Sequence, residues 1–136
     1  MTQEEILDYN KLCAEFLGWE YIDKDQHSQA YENYGWWVKR IYHNNIDARN
    51  NCNWKGFNQN LKFHSDWNWI FEVVEAIEKL GYYTKNECIR NINYFNIYEL
   101  ENNEATFYGT DNSKKEAVVE AINQFLIWHK TNNNEK

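Results

Sequence analysis

Between Asp66 and Gly81 the apolar residues Trp67, Ile70, Phe71, Val74, Ile77 and Leu80 recur at the three- and four-residue spacing of one helix face, with Glu72, Glu75 and Glu78 opposite. A stripe of this kind has to be buried against another layer, because a lone helix of that length is marginal in water. Ser65 or Asp66 can supply the N-cap, and Gly81 stands where helices end in a left-handed residue. The spacing predicts a helix over residues 66–80. A second stripe, Ala117, Val118, Ala121, Ile122, Phe125 and Trp128, follows the capping-box sequence Ser113-Lys114-Lys115-Glu116. A third follows the box Thr2-Gln3-Glu4-Glu5, where Ile6, Tyr9, Cys13, Phe16 and Leu17 lead to Gly18 and predict a helix over residues 3–17.

The segments between these helices read as strands. Trp19 to Ile22 is a short one, followed by a polar turn at 23–30. In 35–42, Trp36, Val38, Arg40 and Tyr42 alternate with Trp37, Lys39 and Ile41, as in a two-sided strand. The Asn-rich stretch 43–60 has no period and reads as a long loop. After the central helix come Tyr82–Thr84, Cys88–Leu100 and Ala105–Tyr108, with Glu101–Glu104 as a hairpin turn. The expected fold class is therefore α+β, in the order α-β-β-α-β-β-α: an antiparallel sheet of four to five strands packed with three helices. Residues 1–130 form a single domain, and 131–136 a polar disordered tail.

With 136 residues the chain is long enough to bury a core without disulfides. No proline and only five glycines exclude collagen-like, polyproline and linker character. No apolar run reaches the roughly 20 residues that span a bilayer, so no membrane partner is expected. The first residues lack the basic stretch of a secretory leader. Three scattered cysteines, Cys13, Cys52 and Cys88, with no CxxC, indicate free thiols in a reducing, cytoplasmic setting. Cys13 and Cys88 fall at core positions and Cys52 in a loop. A net charge of −7 argues against a general nucleic-acid or membrane-surface binder.

No catalytic, metal or cofactor signature stands out. His43, Cys52 and His64 match no zinc spacing. Glu72, Glu75 and Glu78 read as a solvated helix face, and neither GxGxxG nor GxxxxGK[ST] occurs. Two features invite a binding role. The sequence His64-Ser65-Asp66 opens a helix, where free N–H groups favour anions, and Trp67 and Trp69 follow it; a plain capping segment over core tryptophans is the alternative. Within 36–63, Lys39, Arg40, Arg49, Lys55 and Lys62 face a single acid, Asp47, and are interleaved with Trp36, Trp37, Tyr42, Trp54 and Phe57. Cations among aromatic planes suit phosphate and base recognition, although a basic strand and a solvated loop would look the same. The candidate ligand- or partner-binding residues are Trp36, Arg40, Arg49, Trp54, Lys55, Lys62, His64 and Trp67, gathered where strand 36–42, loop 43–60 and the start of the central helix meet. Trp67 and Phe125 are also expected as core residues.

Three segments carry a resemblance: Asn10-Lys11-Leu12-Cys13-Ala14-Glu15-Phe16-Leu17-Gly18; Leu61-Lys62-Phe63-His64-Ser65-Asp66-Trp67-Asn68-Trp69 with Val73-Val74-Glu75-Ala76-Ile77-Glu78; and Lys115-Glu116-Ala117-Val118 with Ala121-Ile122 and Phe125-Leu126-Ile127-Trp128. Together they resemble small phage- and prophage-encoded accessory proteins, some of them grouped as a phage α-β-α sandwich domain. The resemblance implies an α+β accessory protein of the bacterial host cytoplasm and brings no catalytic residues. The function expected is non-enzymatic binding to a host or phage protein that antagonises a host process, such as a defence system. The alternative is a sponge domain that sequesters a small phosphate-containing nucleotide. A monomer is expected, with a small homo-oligomer as the other possibility.

Overall fold

The computed structural model describes residues 1–22, 35–40, 52–100 and 105–134, with the side chains of Arg40, Cys52, Asn53, Trp54 and Asn134 outside that description. The fold is α+β, with three helices and two three-stranded antiparallel sheets. The chain divides into two compact units, Met1–Leu61 and Lys62–Lys136.

In the N-terminal unit, α1 (Gln3–Phe16) starts at a complete capping box. The Thr2 hydroxyl accepts from the Glu5 backbone, and the Glu5 side chain accepts from the Thr2 N–H. It ends in a Schellman turn, in which the Gly18 N–H donates to Glu15 and the Trp19 N–H to Ala14, with Gly18 at φ +80°. Tyr9, Asn10, Cys13 and Ala14 form its buried stripe. The buried Asn10 side chain donates to the Leu61 carbonyl at 3.1 Å, which ties the end of this unit to its first helix.

Three strands follow, β1 (Glu20–Tyr21), β2 (Trp36–Arg40) and β3 (Cys52–Phe57), in sheet order β1-β2-β3. The strand β3 and the 3₁₀ turn Asn58–Asn60 lie within the segment 43–60 that reads as a loop. A bulge explains the missing alternation there. Trp37 pairs with Gly56 but Val38 with Trp54, so Lys55 is the extra residue. Trp37 and Val38 are buried, and the Trp37 indole N–H donates to Asn58 Oδ1 at 3.0 Å.

In the C-terminal unit, Asp66 caps α2 (Trp67–Lys79) through a 2.9 Å bond from the Asn68 N–H, and Gly81 closes it at φ +105°. Its buried residues are Ile70, Val73, Val74 and Ile77. Trp67 is only half-buried and Phe71 is 51% exposed, so both lie at the margin of the stripe and not in the core.

The second sheet is β4 (Tyr83–Ile89), β5 (Ile92–Tyr98) and β6 (Phe107–Asp111), in that order. The stretch 88–100, expected as one strand, is broken at Arg90-Asn91. Both residues have positive φ (52° and 67°) and close a two-residue hairpin between Ile89 and Ile92. The expected turn at 101–104 lies outside the described residues. With β3 and this hairpin the element order becomes α-β-β-β-α-β-β-β-α.

The last helix, α3 (Lys114–Asn134), covers β5 and β6 with Ala117, Val118, Ala121, Ile122 and Phe125 against Phe95, Ile97 and Phe107. It continues through 131–134, where a disordered tail was expected. Side-chain bonds extend it: Thr131 Oγ1 donates to the Ile127 carbonyl at 2.9 Å, and Asn133 Nδ2 to His129 Nε2 at 2.8 Å.

Candidate functional site

On the helix side of the second sheet, Phe95 and Ile97 of β5 are buried, but Asn86 and Cys88 on the same face of β4 are exposed. The helix α3 covers β5 and β6 and α2 packs beside β4, while Asn86 and Cys88 stay open to solvent. The result is a groove of about 490 Å³, lined by Trp67, Phe71, Asn86, Phe95, Lys114 and Val118. Cys88, expected in the core, is an exposed free thiol beside this uncovered strand, whereas Cys13 is fully buried and its thiol pKa is pushed far up by desolvation.

Trp67 and Phe71 stand one helical turn apart on α2, and their rings stack at 5.4 Å with 25° between planes. Lys114 and Lys115 are the first two residues of α3. The Lys115 ammonium lies over the Trp67 ring, 5.7 Å from its centroid. One wall of the groove is thus an aromatic pair, and among the described lining residues the one charged group is the Lys114 cation at a helix N-terminus. Two lysines there oppose the helix dipole, which favours anions at that end. The arrangement costs α3 some stability, and a bound anion would offset that cost. Asn86, opposite, offers an amide that can both donate and accept.

His64 precedes α2 and is half-buried; burial lowers its pKa, and the nearby Glu116 carboxylate pulls the other way. His129 is lowered by burial as well. For both rings the unfolded chain takes up the proton first as pH falls. Stability is therefore full above about pH 6.5 and is lost as pH falls through that value toward the folded pKa. Thermal midpoints of the parent should be lower at about pH 5.5 than at about pH 7.5. The difference should shrink in His64→Gln/His129→Gln, and an unchanged difference would remove these rings as its cause.

The expected site residues divide between the two units. In the N-terminal unit, Trp36 on β2 is half-buried with its ring 4.7 Å from Phe57, and Lys55 at the bulge holds its ammonium 5.1 Å from the Trp19 ring centroid. Arg40 on β2 pairs with Cys52 and Trp54 on β3 with Val38, the side chains of Arg40 and Trp54 being outside the description, and Arg49 lies outside the described residues altogether. Lys62, His64 and Trp67 belong to the C-terminal unit. Lys62 is exposed, and its carbonyl accepts from the Ser65 and Asp66 N–H groups in the turn that leads into α2. Of the expected residues whose side chains are described, only Trp67 lines the groove. Its companions Phe71, Asn86, Lys114 and Lys115 were missed, because Phe71 reads as core and the two lysines as the middle of a capping box.

Among the described residues no group of three His, Cys, Asp or Glu is placed to hold a metal ion, and no helix is long and apolar enough to cross a membrane. Comparisons with protein-family models, curated proteins and solved structures return no match.

Proposed function

We propose that the chain acts by binding, and that the groove takes a small planar anion, a phosphate-containing nucleotide, which it sequesters. The observation that carries this reading is the stacked Trp67–Phe71 pair set beside Lys114 and Lys115. The exposed Phe71 ring beside Trp67 suits a base, and the cations with the α3 N–H groups suit its phosphate. Capture of a nucleotide would oppose any host process that depends on it. That is the service expected of a phage accessory protein, with a defence system among its targets.

Calorimetric titration with nucleoside mono- and diphosphates, with adenosine and inorganic phosphate as partial ligands, tests the reading. Base stacking contributes about 1–3 kcal/mol, so Trp67→Ala should weaken nucleotide binding roughly 5- to 150-fold. Lys114→Glu with Lys115→Glu should abolish binding and its salt dependence. A panel that does not bind, or variants that bind as the parent does, would sink it. An accessory protein that instead grips a host or phage protein elsewhere on its surface would capture that partner from host lysate unchanged in these variants.

A further inference from the structure

The opposite face of the second sheet, turned away from α3, carries an independent pattern. Its cross-strand rows are set by the register. Tyr83 lies beside Tyr98 at one end, and Ile89 beside Ile92 at the other. Between them are the row of Lys85, Asn96 and Tyr108 and the row of Glu87, Tyr94 and Thr110. Four of these apolar side chains are exposed: Tyr83 42%, Ile89 52%, Ile92 38% and Tyr108 55%. The Tyr83 and Tyr98 rings stack at 4.6 Å and 6°. Lys85 and Glu87 pair at 2.8 Å, so the face is neutral in a chain of net charge −7.

We infer that this face is a two-fold association surface for a second copy of the chain. Asn86, Phe95 and Gly109 form one row across all three strands, whose outward direction at these positions is the helix side. A two-fold axis parallel to that row, between two facing sheets, runs each strand antiparallel to its own copy. Lys85 then meets Glu87 of the second copy, and Glu87 meets its Lys85. The Tyr83–Tyr98 pair packs on Ile89 and Ile92 of the copy, and Tyr108 on Thr110. Every row finds an unlike, complementary row, as an isologous interface requires. Face-to-face packing of two sheets at near-aligned angles is an ordinary geometry. A single cation already neutralised by Glu87 makes the face a poor match for a nucleic-acid backbone. With four exposed apolar side chains the face is small beside the ~800 Å² per partner of a standard interface, so the dimer is weak and concentration-dependent.

Sedimentation velocity without added ligand, from roughly 10 µM to roughly 1 mM, tests this. The parent should move from monomer toward dimer over that range. Lys85→Glu sets two acids against each other across the axis and should weaken association about tenfold or more. Lys85→Glu/Glu87→Lys keeps the pattern self-complementary and should restore it. Ile89→Asp should leave monomer at every concentration. All three positions lie on the face turned away from α3, and matching circular-dichroism melts would show that folding is intact. A parent that stays monomeric throughout overturns the inference and leaves the face to a different protein. Association unaffected by Lys85→Glu, or not restored by the double swap, overturns it equally. None of these outcomes depends on the groove.

Discussion

Gly109→Ala is expected to lower the stability of the second unit by about 3 kcal/mol or more, enough to shift a thermal midpoint by roughly 12 °C or more. A methyl group built on Gly109 would lie 2.0 Å from the Ala117 carbonyl oxygen and 2.8 Å from the Ala121 nitrogen. Both atoms belong to the backbone of α3, so no side-chain rotation relieves the clash. The helix would have to rise off β6 and loosen its packing on Phe95 and Phe107 as well. The alanines at 117 and 121 are the other half of this close approach, since a larger residue at either would hold the helix off the strand. Gly81→Ala is the control. No atom lies within 4 Å of its added methyl, and the cost there is the left-handed backbone at φ +105° alone, about 1–2 kcal/mol. Chemical unfolding of both variants separates the two effects. A Gly109→Ala protein no less stable than Gly81→Ala would mean that α3 does not sit this close to β6.

The helices were legible in the sequence because their ends carry local chemistry. Thr2 with Glu5, Asp66 with Gly81, and Gly18 each act within one turn, and each helix end lies within two residues of its expected place except the last. That end was misplaced because Thr131 and Asn133 read as a polar tail, while in the structure their side chains bond back one turn and prolong the helix. The strands were less legible. Arg90-Asn91 lacks the glycine that marks most tight hairpins, so one run of β-favouring residues concealed two strands. In Cys52–Phe57 the bulged Lys55 breaks the two-residue period by which a strand is recognised.

Only Trp67 of the groove was visible as a site residue, for a physical reason. Aromatic residues at helical spacing look alike whether they face a core or line its edge. Trp67 was therefore expected both as a core ring and as a ligand contact, and its half-buried position fits the second role. What turns Phe71, Asn86, Lys114 and Lys115 into neighbours is the placement of two helix starts over one end of β4. No local pattern in the sequence encodes that placement. The basic stretch 36–63 is contiguous in sequence, but its described residues divide between the two units, and Lys55 lies over the Trp19 ring.

Phe125→Ala is expected to cost about 3–5 kcal/mol, far more than Trp67→Ala, although both residues belong to an apolar stripe. Phe125 is fully buried at the centre of an aromatic cluster. Tyr82 and Phe107 meet its ring edge-on at 5.0 and 5.4 Å, His129 stacks on it at 5.6 Å, and Trp128 lies 6.1 Å away. Removing the ring leaves a cavity walled by four side chains held from three directions: the lead-in to β4, β6, and the next turn of α3. These rings cannot all collapse inward without breaking the sheet register or the helix, so the site relaxes poorly and the loss falls at the upper end for such changes. Trp67 borders an open groove, where truncation exposes surface already close to water and makes no sealed void. Paired denaturant titrations should show Phe125→Ala shifted to a much lower midpoint and Trp67→Ala within about 1 kcal/mol of the parent. Nucleotide affinity should rank the two in the reverse order. If Trp67→Ala proved the more destabilising, the ring would belong to the core and the groove would lose its aromatic wall.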